Sequence, residues 1–256
     1  MEFSLNQLEK KDHIGIVTFN RPPANSWSLA AMEHFESILD EIENDRNIRA
    51  VILTGSGSKC FSAGFDVSDA ANGDKCGVKG QELWTRVDRF AKPVIAAING
   101  HALGGGLELA LSCHFRIMVD NQKAALGLTE LNLGIIPGWG GTQRLMRVVG
   151  KAKALDMILF SKRLGPAEAL EIGLVNRLSP PQNLMADALE LAGVLAKRPP
   201  MAVSWVLKAM TAGIYDGLDE GLKIELQGTR AVSKSRDAVE GFTAFFEKRD
   251  PVFTGE

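Results

Sequence analysis

The amino-acid sequence predicts an α/β fold in which most strands run parallel. Apolar segments of strand length alternate with segments whose apolar residues recur at helical spacing, and this alternation favours parallel pairing. The strand segments are apolar at both odd and even positions, as in strands that are buried on both faces. The three strand segments are His13–Phe19, Ala50–Thr54 and Pro93–Ile98.

The first helix is predicted to follow Asn20–Ser26, where two prolines interrupt the strand pattern. Ser28 can accept a hydrogen bond from a backbone N–H of the first turn and so begin this helix. Apolar residues then recur at helical spacing, while acidic residues occupy the opposite face, which we expect to be solvated. The apolar positions are Leu29, Met32, Phe35, Leu39 and Ile42.

The segment Ser68–Gly80 separates the second predicted strand from the third and contains several glycines. Its composition is typical of a long loop, and we predict a mobile lid here. Beyond Pro199 the pattern becomes helical as far as Phe246. The chain therefore divides into a predicted core, residues 1–196, and a predicted helical region, residues 197–256.

Composition argues against several classes of protein. Hydrophobic residues make up 45% of the 256 residues and charged residues 23%, which is typical of a globular protein with a buried core. The formal net charge of −2 gives no overall attraction to nucleic acid or anionic lipid. Residues 1–13 lack the apolar stretch of a secretory signal and contain acidic residues, which transit peptides avoid. We therefore expect no nucleic-acid or membrane partner.

The three cysteines, Cys60, Cys76 and Cys113, lack the spacing of metal ligands, and their odd number argues against a disulfide framework. Reduced thiols are typical of the cytoplasm, which is the expected location. The sequence also lacks a dinucleotide-binding GxGxxG motif and a plausible metal cluster. We expect no bound metal.

Glu108 lies in the first turn of a predicted apolar helix that follows the glycines Gly104–Gly106. Three glycines cost backbone entropy on folding, so close packing or a ligand must require them. Backbone N–H groups at a helix N-terminus can bind a negatively charged ligand. A carboxyl group among leucine and alanine side chains has a raised pKa unless it is paired. The alternatives are plain helix packing and a salt-bridged or partly exposed glutamate.

Two further segments carry related signals. Glu130 lies in an apolar run before a glycine- and proline-rich turn, after which Thr142 is placed to cap the next helix. Cys60–Asp66 forms a tight loop after the second strand, although an ordinary strand-to-helix connection has the same pattern. Together these segments supply backbone donors and two carboxylates in apolar surroundings. Such a set suits stabilisation of an enolate oxygen with proton transfer at adjacent carbons.

The sequence resembles the enoyl-CoA hydratase/isomerase (crotonase) family over essentially its whole length. The motifs that carry the resemblance are specific in combination and in this order. They are Asn20–Asn25, Phe61–Asp66, Lys92–Gly100, Ala102–Glu108, Gly134–Gly138 and Gly140–Arg144. The resemblance implies a spiral of ββα units with a C-terminal helical trimerisation region, so we expect a homotrimer or a dimer of trimers.

The resemblance also implies roles for individual residues. By this resemblance, the backbone N–H groups of Phe65 and Gly105 are expected to bind the thioester oxygen of an acyl-CoA. In a syn addition of water to a 2-enoyl thioester, Glu108 activates the water that attacks C3, and Glu130 supplies a proton to C2. Coenzyme A belongs to the substrate, so no separate cofactor is expected. The residues implied to contact substrate or coenzyme A are Ala24, Ser26, Ala63, Asp66, Val67, Gly138, Trp139, Phe245 and Lys248, of which the last two reach the coenzyme A of a neighbouring subunit.

The predicted function is that of an enoyl-CoA hydratase in fatty-acid β-oxidation, acting on a short acyl chain. Two glutamates favour a hydratase, because an isomerase can work with one carboxylate. Isomerisation of an enoyl-CoA, hydration of a cyclic or branched enoyl-CoA and a non-catalytic scaffold stay open as alternatives. RNA binding is remote, since the first predicted helix is acidic and contains no lysine.

Trp139 carries the prediction about acyl chain length. An indole that projects into the site leaves room only for a short chain, because protein interiors pack densely. The alternative is that the ring points into the core and braces the turn that contains Gly138. The sequence also departs from the family pattern at Phe65, where a small residue is usual, and at His114, where an aspartate is usual.

Overall fold

A computed structural model describes residues 5–256, so residues 1–4 of the predicted core lie outside the described residues. The described strands are β1 (Asn6–Lys11), β2 (Ile14–Phe19), β3 (Ala50–Gly55), β4 (Cys60–Ser62), β5 (Val94–Ile98), β6 (His101–Leu103), β7 (Phe115–Val119), β8 (Leu126–Gly127) and β9 (Arg177–Ser179). The described helices are α1 (Leu29–Asn44), α2 (Gly73–Asp88), α3 (Gly105–Ser112), α4 (Gly141–Val149), α5 (Lys151–Leu159), α6 (Pro166–Glu171), α7 (Leu184–Ala196), α8 (Pro200–Tyr215), α9 (Leu218–Val232) and α10 (Arg236–Glu247).

The strands form two sheets. The larger sheet has the order β1-β2-β3-β5-β7-β9, in which β1 and β2 are antiparallel and the other neighbours are parallel. The smaller sheet has the order β4-β6-β8 and is parallel. From β3 onward, a strand of the larger sheet is followed by a strand of the smaller sheet and then by a helix, which gives β3-β4-α2, β5-β6-α3 and β7-β8-α4. The predicted α/β class, the parallel pairing and the ββα units are confirmed.

The three predicted strands are β2, β3 and β5, and they are neighbours in the larger sheet. Every residue of β3 and β5 is buried, which explains their apolar composition at both odd and even positions. Helix α7 packs against these strands. Helix α1 also begins as predicted, because Ser28 Oγ accepts a hydrogen bond from the Ala31 N–H at 3.3 Å.

Strand β1 was not predicted from the sequence. It lies at the edge of the larger sheet and pairs with β2, with Asn6 opposite Phe19. Of its residues only Asn6 is buried, and the strand ends on the charged residues Glu9, Lys10 and Lys11. Charged side chains protect an edge strand from pairing with another chain, but they remove the apolar alternation by which a strand is recognised.

The predicted mobile loop at Ser68–Gly80 is wrong, because the segment is helical. It spans most of a 3₁₀ turn, Val67–Asn72, and the first half of α2. Gly80 belongs to the buried face of α2, where a Cβ atom would lie 2.5 Å from the Trp139 ring. This glycine therefore allows a close helix-to-indole approach and does not mark a loop.

Helices α8, α9 and α10 form the C-terminal helical region, and α8 packs closely on α9. The predicted division between residues 196 and 197 falls at the end of α7, and it stays a prediction. Large apolar side chains are exposed on all three helices. They include Val206, Met210, Ile214, Leu218, Leu222, Leu226, Phe242, Phe245 and Phe246.

Within residues 5–256, no helix combines the length and the apolar character needed to cross a membrane. The same residues contain no group of three or more histidine, cysteine, aspartate or glutamate side chains arranged to hold a metal ion.

Candidate active site

A cavity of about 470 Å³ lies beside the N-terminus of α3, between α2 and the turn before α4. It brings together predicted site residues that are far apart in the sequence. Those that line it are Ala63, Phe65, Val67, Gly105, Glu108, Glu130, Gly138 and Trp139. The cavity thus joins the β4–α2 loop, the start of α3 and the segment between β8 and α4.

Glu108 is held by backbone donors from a different part of the chain. Its residue is only 2% exposed. Oε1 accepts hydrogen bonds from the Trp139 N–H at 2.8 Å and from the Gly141 N–H at 2.7 Å. Both bonds fall on one oxygen, and Oε2 accepts no hydrogen bond from residues 5–256, so it is available to a bound ligand.

The N-terminus of α4 supplies one of these donors. Gly140 precedes the helix with a φ of 103°, in the left-handed region that favours glycine, and Gly141 is the first helical residue. The predicted cap by Thr142 is wrong, because Thr142 lies inside the first turn and makes no capping bond. The Glu108 carboxyl binds a free N–H at the helix start instead, where a negative charge is favoured.

Burial raises the pKa of Glu108 to about 7, and the nearby Glu130 charge acts in the same direction. The two amide bonds and the positive charge of Arg144 oppose this shift but do not cancel it. At neutral pH a carboxyl group with this pKa exists in both protonation states. It can therefore act as a base or an acid at little cost.

Glu130 begins a 3₁₀ turn, Glu130–Leu133, and also lines the cavity. Its Oε1 lies close to Gly104, where a Cβ atom would be 3.1 Å away. Its Oε2 is buried, and among the described residues it has no hydrogen-bond partner. Burial raises the pKa of Glu130, which favours the protonated form. The group is thus suited to donate a proton to a ligand.

The backbone N–H groups of Phe65 and Gly105 lie on two adjoining segments. Gly64 has a φ of 87°, and a Cβ atom on it would lie 2.7 Å from the Gly105 nitrogen, so the Phe65 loop lies directly against the start of α3. The Gly64 carbonyl accepts from the Trp27 N–H and the Asp66 N–H donates to the Trp27 carbonyl. These bonds fix the peptides on both sides of Phe65. Among the described residues, neither predicted donor has an acceptor.

The Trp139 side chain lines the cavity and is also packed into the core. A Cβ atom on Gly105 would lie 2.0 Å from the indole, so the ring covers the start of α3. Trp84 and Phe65 meet it edge-on, at centroid distances of 5.4 Å and 6.5 Å. The two interpretations of Trp139 are therefore compatible, because one ring both braces the turn and forms a wall of the site.

Three predicted contact residues, Ala24, Ser26 and Asp66, are not among the residues that line the cavity. They hold the Phe65 loop from outside. The Ala24 carbonyl accepts from the Ala63 N–H at 2.9 Å, and Asp66 pairs with Arg21, which also donates to the Ser26 carbonyl at 3.0 Å. Their predicted contacts with coenzyme A stay predictions.

Phe245 and Lys248 lie at the end of α10, away from the cavity of their own chain. Phe245 is 77% exposed and Lys248 ends the helix with a φ of 55°. Both are thus accessible to another molecule, and their predicted contact with a neighbouring subunit's coenzyme A stays a prediction.

Sequence reasoning missed an apolar wall of the cavity. Leu133, Ile135 and Ile136 line it and are exposed, and Val67 faces the same space. Apolar residues next to a glycine–proline turn were the available signal, since exposed apolar side chains beside a cavity are typical of a ligand-binding surface. Together with Trp139, they make the site suitable for an apolar chain attached to a polar reacting group.

Comparisons with known proteins place the chain in a family. Residues 9–256 match the family model described as enoyl-CoA hydratase/isomerase. A short-chain-enoyl-CoA hydratase of Clostridium acetobutylicum is 40% identical over 255 residues, which cover 97% of each chain. A crotonyl-CoA hydratase of Syntrophomonas wolfei is 36% identical over 252 residues, 96% of each chain. The crystal structure of an enoyl-CoA hydratase from Bacillus anthracis matches with a TM-score of 0.94 at 40% identity, covering 98% of this chain and 100% of that chain. This chain belongs to the enoyl-CoA hydratase/isomerase family.

Proposed function

We propose that this protein is an enoyl-CoA hydratase. It adds water across the C2=C3 double bond of a 2-enoyl-CoA with a short acyl chain and forms a 3-hydroxyacyl-CoA. The observation that carries this proposal is the single cavity lined by two desolvated carboxyl groups and two backbone donors without acceptors. Relatives named as short-chain-enoyl-CoA and crotonyl-CoA hydratases support it.

The thioester carbonyl receives hydrogen bonds from the N–H groups of Phe65 and Gly105. Attack of water at C3 moves negative charge onto this oxygen, so the intermediate resembles an enolate. Fixed backbone donors stabilise that charge without reorganising, which is why such donors lower the barrier strongly. The Gly105 N–H also lies at a helix N-terminus, whose dipole favours the same charge.

Glu108 in its ionised form accepts a proton from the attacking water. Since Oε1 is held by two amides, Oε2 is the oxygen that orients the water. Glu130 in its protonated form delivers a proton to C2. Addition of the hydroxyl at C3 and the proton at C2 from the same side of the substrate gives syn hydration. No cofactor takes part, because coenzyme A belongs to the substrate.

The test is the loss of the enoyl-thioester absorption band across a panel of 2-enoyl-CoA substrates of increasing length. We expect rapid loss with crotonyl-CoA and slower loss with longer chains. A 3-enoyl-CoA serves as the comparison, since its conversion to a 2-enoyl-CoA reports isomerase activity. Failure to hydrate any 2-enoyl-CoA would contradict the proposed reaction.

Trp139→Ala is expected to shift the chain-length preference toward longer substrates. The change removes the wall that covers the start of α3 and leaves space beside the reacting carbons. A methylene that fits or misfits an apolar pocket is worth about 1–3 kcal/mol, so the ratio of kcat/KM for decenoyl-CoA to crotonyl-CoA should rise about tenfold or more. A chain-length profile that overlays the wild-type profile would limit Trp139 to bracing the turn.

We also propose that the chain assembles as a homotrimer or a dimer of trimers through its C-terminal helical region. The exposed apolar side chains on α8, α9 and α10 support this proposal. Apolar patches of this kind on a folded chain mark interaction surfaces. In the assembly, Phe245 and Lys248 reach the coenzyme A of a neighbouring subunit.

The double variant Phe245→Ala, Lys248→Ala is expected to raise KM for the thioester while kcat stays close to wild type, because both side chains bind the part of the substrate that does not react. Initial-rate kinetics measure both constants. Light scattering should show a trimer or hexamer for the wild type. An unchanged KM in the double variant would show that neither residue binds the substrate. A monomeric wild type would show that the two side chains cannot reach the coenzyme A of a neighbouring subunit.

We propose a cytoplasmic location and a role in fatty-acid β-oxidation. The three cysteines are free and buried, as expected for thiols in a reducing compartment. Hydration of a short 2-enoyl-CoA is the step that prepares the substrate for oxidation at C3. RNA binding finds no support, since α1 is acidic on its exposed face and Lys79 and Arg86 of α2 are paired with its glutamates.

A further inference from the structure

The guanidinium group of Arg144 lies directly behind the turn that binds Glu108. Its Nη1 donates to the Trp139 carbonyl at 2.9 Å. Its Nε donates to Asp88 at 3.1 Å, and its Nη2 donates to Thr85 Oγ1, also at 3.1 Å. All three nitrogens therefore have fixed acceptors, and the side chain is buried although it carries a charge.

The turn presents its two sides to two different charged groups. The Trp139 carbonyl points to Arg144, while the N–H groups of Trp139 and Gly141 point to Glu108. Between them, Gly140 has a φ of 103°, and a Cβ atom there would lie 2.0 Å from Arg144 Nη1. The guanidinium thus packs against the bare glycine and fixes the direction of both donors.

Arg144 is in turn held from the C-terminal helical region. Asp88, its ion-pair partner, also accepts a hydrogen bond from the Tyr215 hydroxyl at 2.5 Å. Tyr215 is the last residue of α8, and the Arg147 guanidinium lies 4.9 Å above its ring. A continuous path of hydrogen bonds therefore runs from the end of α8 through Asp88 and Arg144 to the turn that binds Glu108.

We propose that Arg144 is a positioning residue for Glu108 and that Asp88 and Tyr215 hold it in place, a role that rests on the hydratase activity proposed above. Arg144 orients the two donors that fix Glu108 Oε1, and its positive charge favours the ionised carboxylate that accepts the proton of water. The charged side chains that act on Glu108 are Arg144 and Glu130, and their effects on its pKa are opposite.

Arg144→Met is expected to lower kcat about tenfold or more, because small misplacements of a catalytic group are costly, while KM stays within about threefold. In a plot of kcat/KM against pH, the acid limb, where activity falls as the pH is lowered, should move to higher pH. This limb reports ionisation of Glu108 in the free enzyme, and the ionised form loses a nearby cation and its oriented donors. A purely structural role would lower thermal stability without moving the limb.

Arg116→Met is the matched control, since Arg116 and Arg144 are both 7% exposed. Arg116 donates to the carbonyls of Cys113 and Leu174 at 2.7 Å and 2.8 Å and makes no contact with the turn. This variant should lose stability while its acid limb stays in place. If Arg144→Met has the same kcat and the same acid limb as Arg116→Met, the proposal is wrong.

Tyr215→Phe keeps the test open if Arg144→Met does not fold, because it removes one hydroxyl from a half-buried side chain. We expect the acid limb to move in the same direction by a smaller amount, with kcat about threefold lower. If the acid limb of Tyr215→Phe does not move, Tyr215 does not help to position Arg144.

If the wild type hydrates no enoyl-CoA, the proposed function is wrong. If the wild type is active but the acid limb moves in neither Arg144→Met nor Tyr215→Phe, only the positioning role of Arg144 is contradicted.

Discussion

Replacing Glu108 or Glu130 by glutamine is expected to lower kcat by at least about 10², because in the proposed mechanism each group transfers a proton in the transition state. Glutamine preserves the shape of the side chain, and its carbonyl oxygen can still accept the bonds from Trp139 and Gly141. The affinity for coenzyme A should therefore change little. Steady-state kinetics with crotonyl-CoA, combined with a binding measurement for a saturated acyl-CoA, separate the two effects.

The double variant Glu108→Gln, Glu130→Gln adds a sharper criterion. In the proposed mechanism both groups act on one water and one intermediate, so the loss in the double variant should be smaller than the product of the single losses. Turnover at the wild-type rate in either single variant would exclude that residue from the mechanism. Fully multiplicative losses would contradict their action in a common step.

Phe65→Pro is expected to lower kcat by about 10²–10³, which corresponds to roughly 2.7–4 kcal/mol of transition-state stabilisation. In the proposed mechanism the Phe65 N–H faces the thioester oxygen, and proline has no such N–H. Among the described residues, this N–H has no acceptor, so the substitution breaks no hydrogen bond of the fold. Kinetics with crotonyl-CoA measure the loss, and circular dichroism shows whether the fold is kept.

Phe65→Ala is the matched control, since it keeps the N–H and removes only the ring. This variant loses the edge-on contact with Trp139, at 6.5 Å between centroids, and we expect kcat to fall by less than about tenfold. Equal losses in the proline and alanine variants would assign the effect to the side chain and contradict the role of the Phe65 N–H.

The sequence reveals the parts of the fold that depend on local pattern. Strand β2 and helix α1 are recognisable because their burial requires an apolar period that neighbouring residues display. Strand β1 cannot be recognised in this way. Its backbone groups form hydrogen bonds with β2, and as an edge strand with charged residues it buries no apolar face. The sequence of Ser68–Gly80 predicts a loop because it is rich in glycine, but Gly80 is needed for a different reason. It makes room for the Trp139 ring, which is distant in sequence, so the local pattern does not show that the segment is helical.

In the candidate site, too, the sequence predicts the features that depend on local pattern and misses the contacts between distant segments. The glycines before α3 and the two carboxylates in apolar runs indicate enolate chemistry on general grounds, and the family resemblance assigns their roles. The bonds from Trp139 and Gly141 to Glu108 could not be foreseen, because they depend on how α4 approaches α3. Arg144 was visible only as part of a motif, since its acceptors Asp88 and Thr85 lie on another helix.

The burial of Glu108 has a consequence for the resistance of the protein to unfolding. The pKa of this carboxyl group is about 7 in the folded protein, against an ordinary value of 4.5. Below pH 4.5 the group is protonated in both states and costs nothing. As the pH rises from 4.5 to 7, the unfolded chain ionises first, and the folded protein loses about 3 kcal/mol of stability. Domains have only about 5–15 kcal/mol of stability in total, so at neutral pH this one buried carboxyl group removes a substantial part of it.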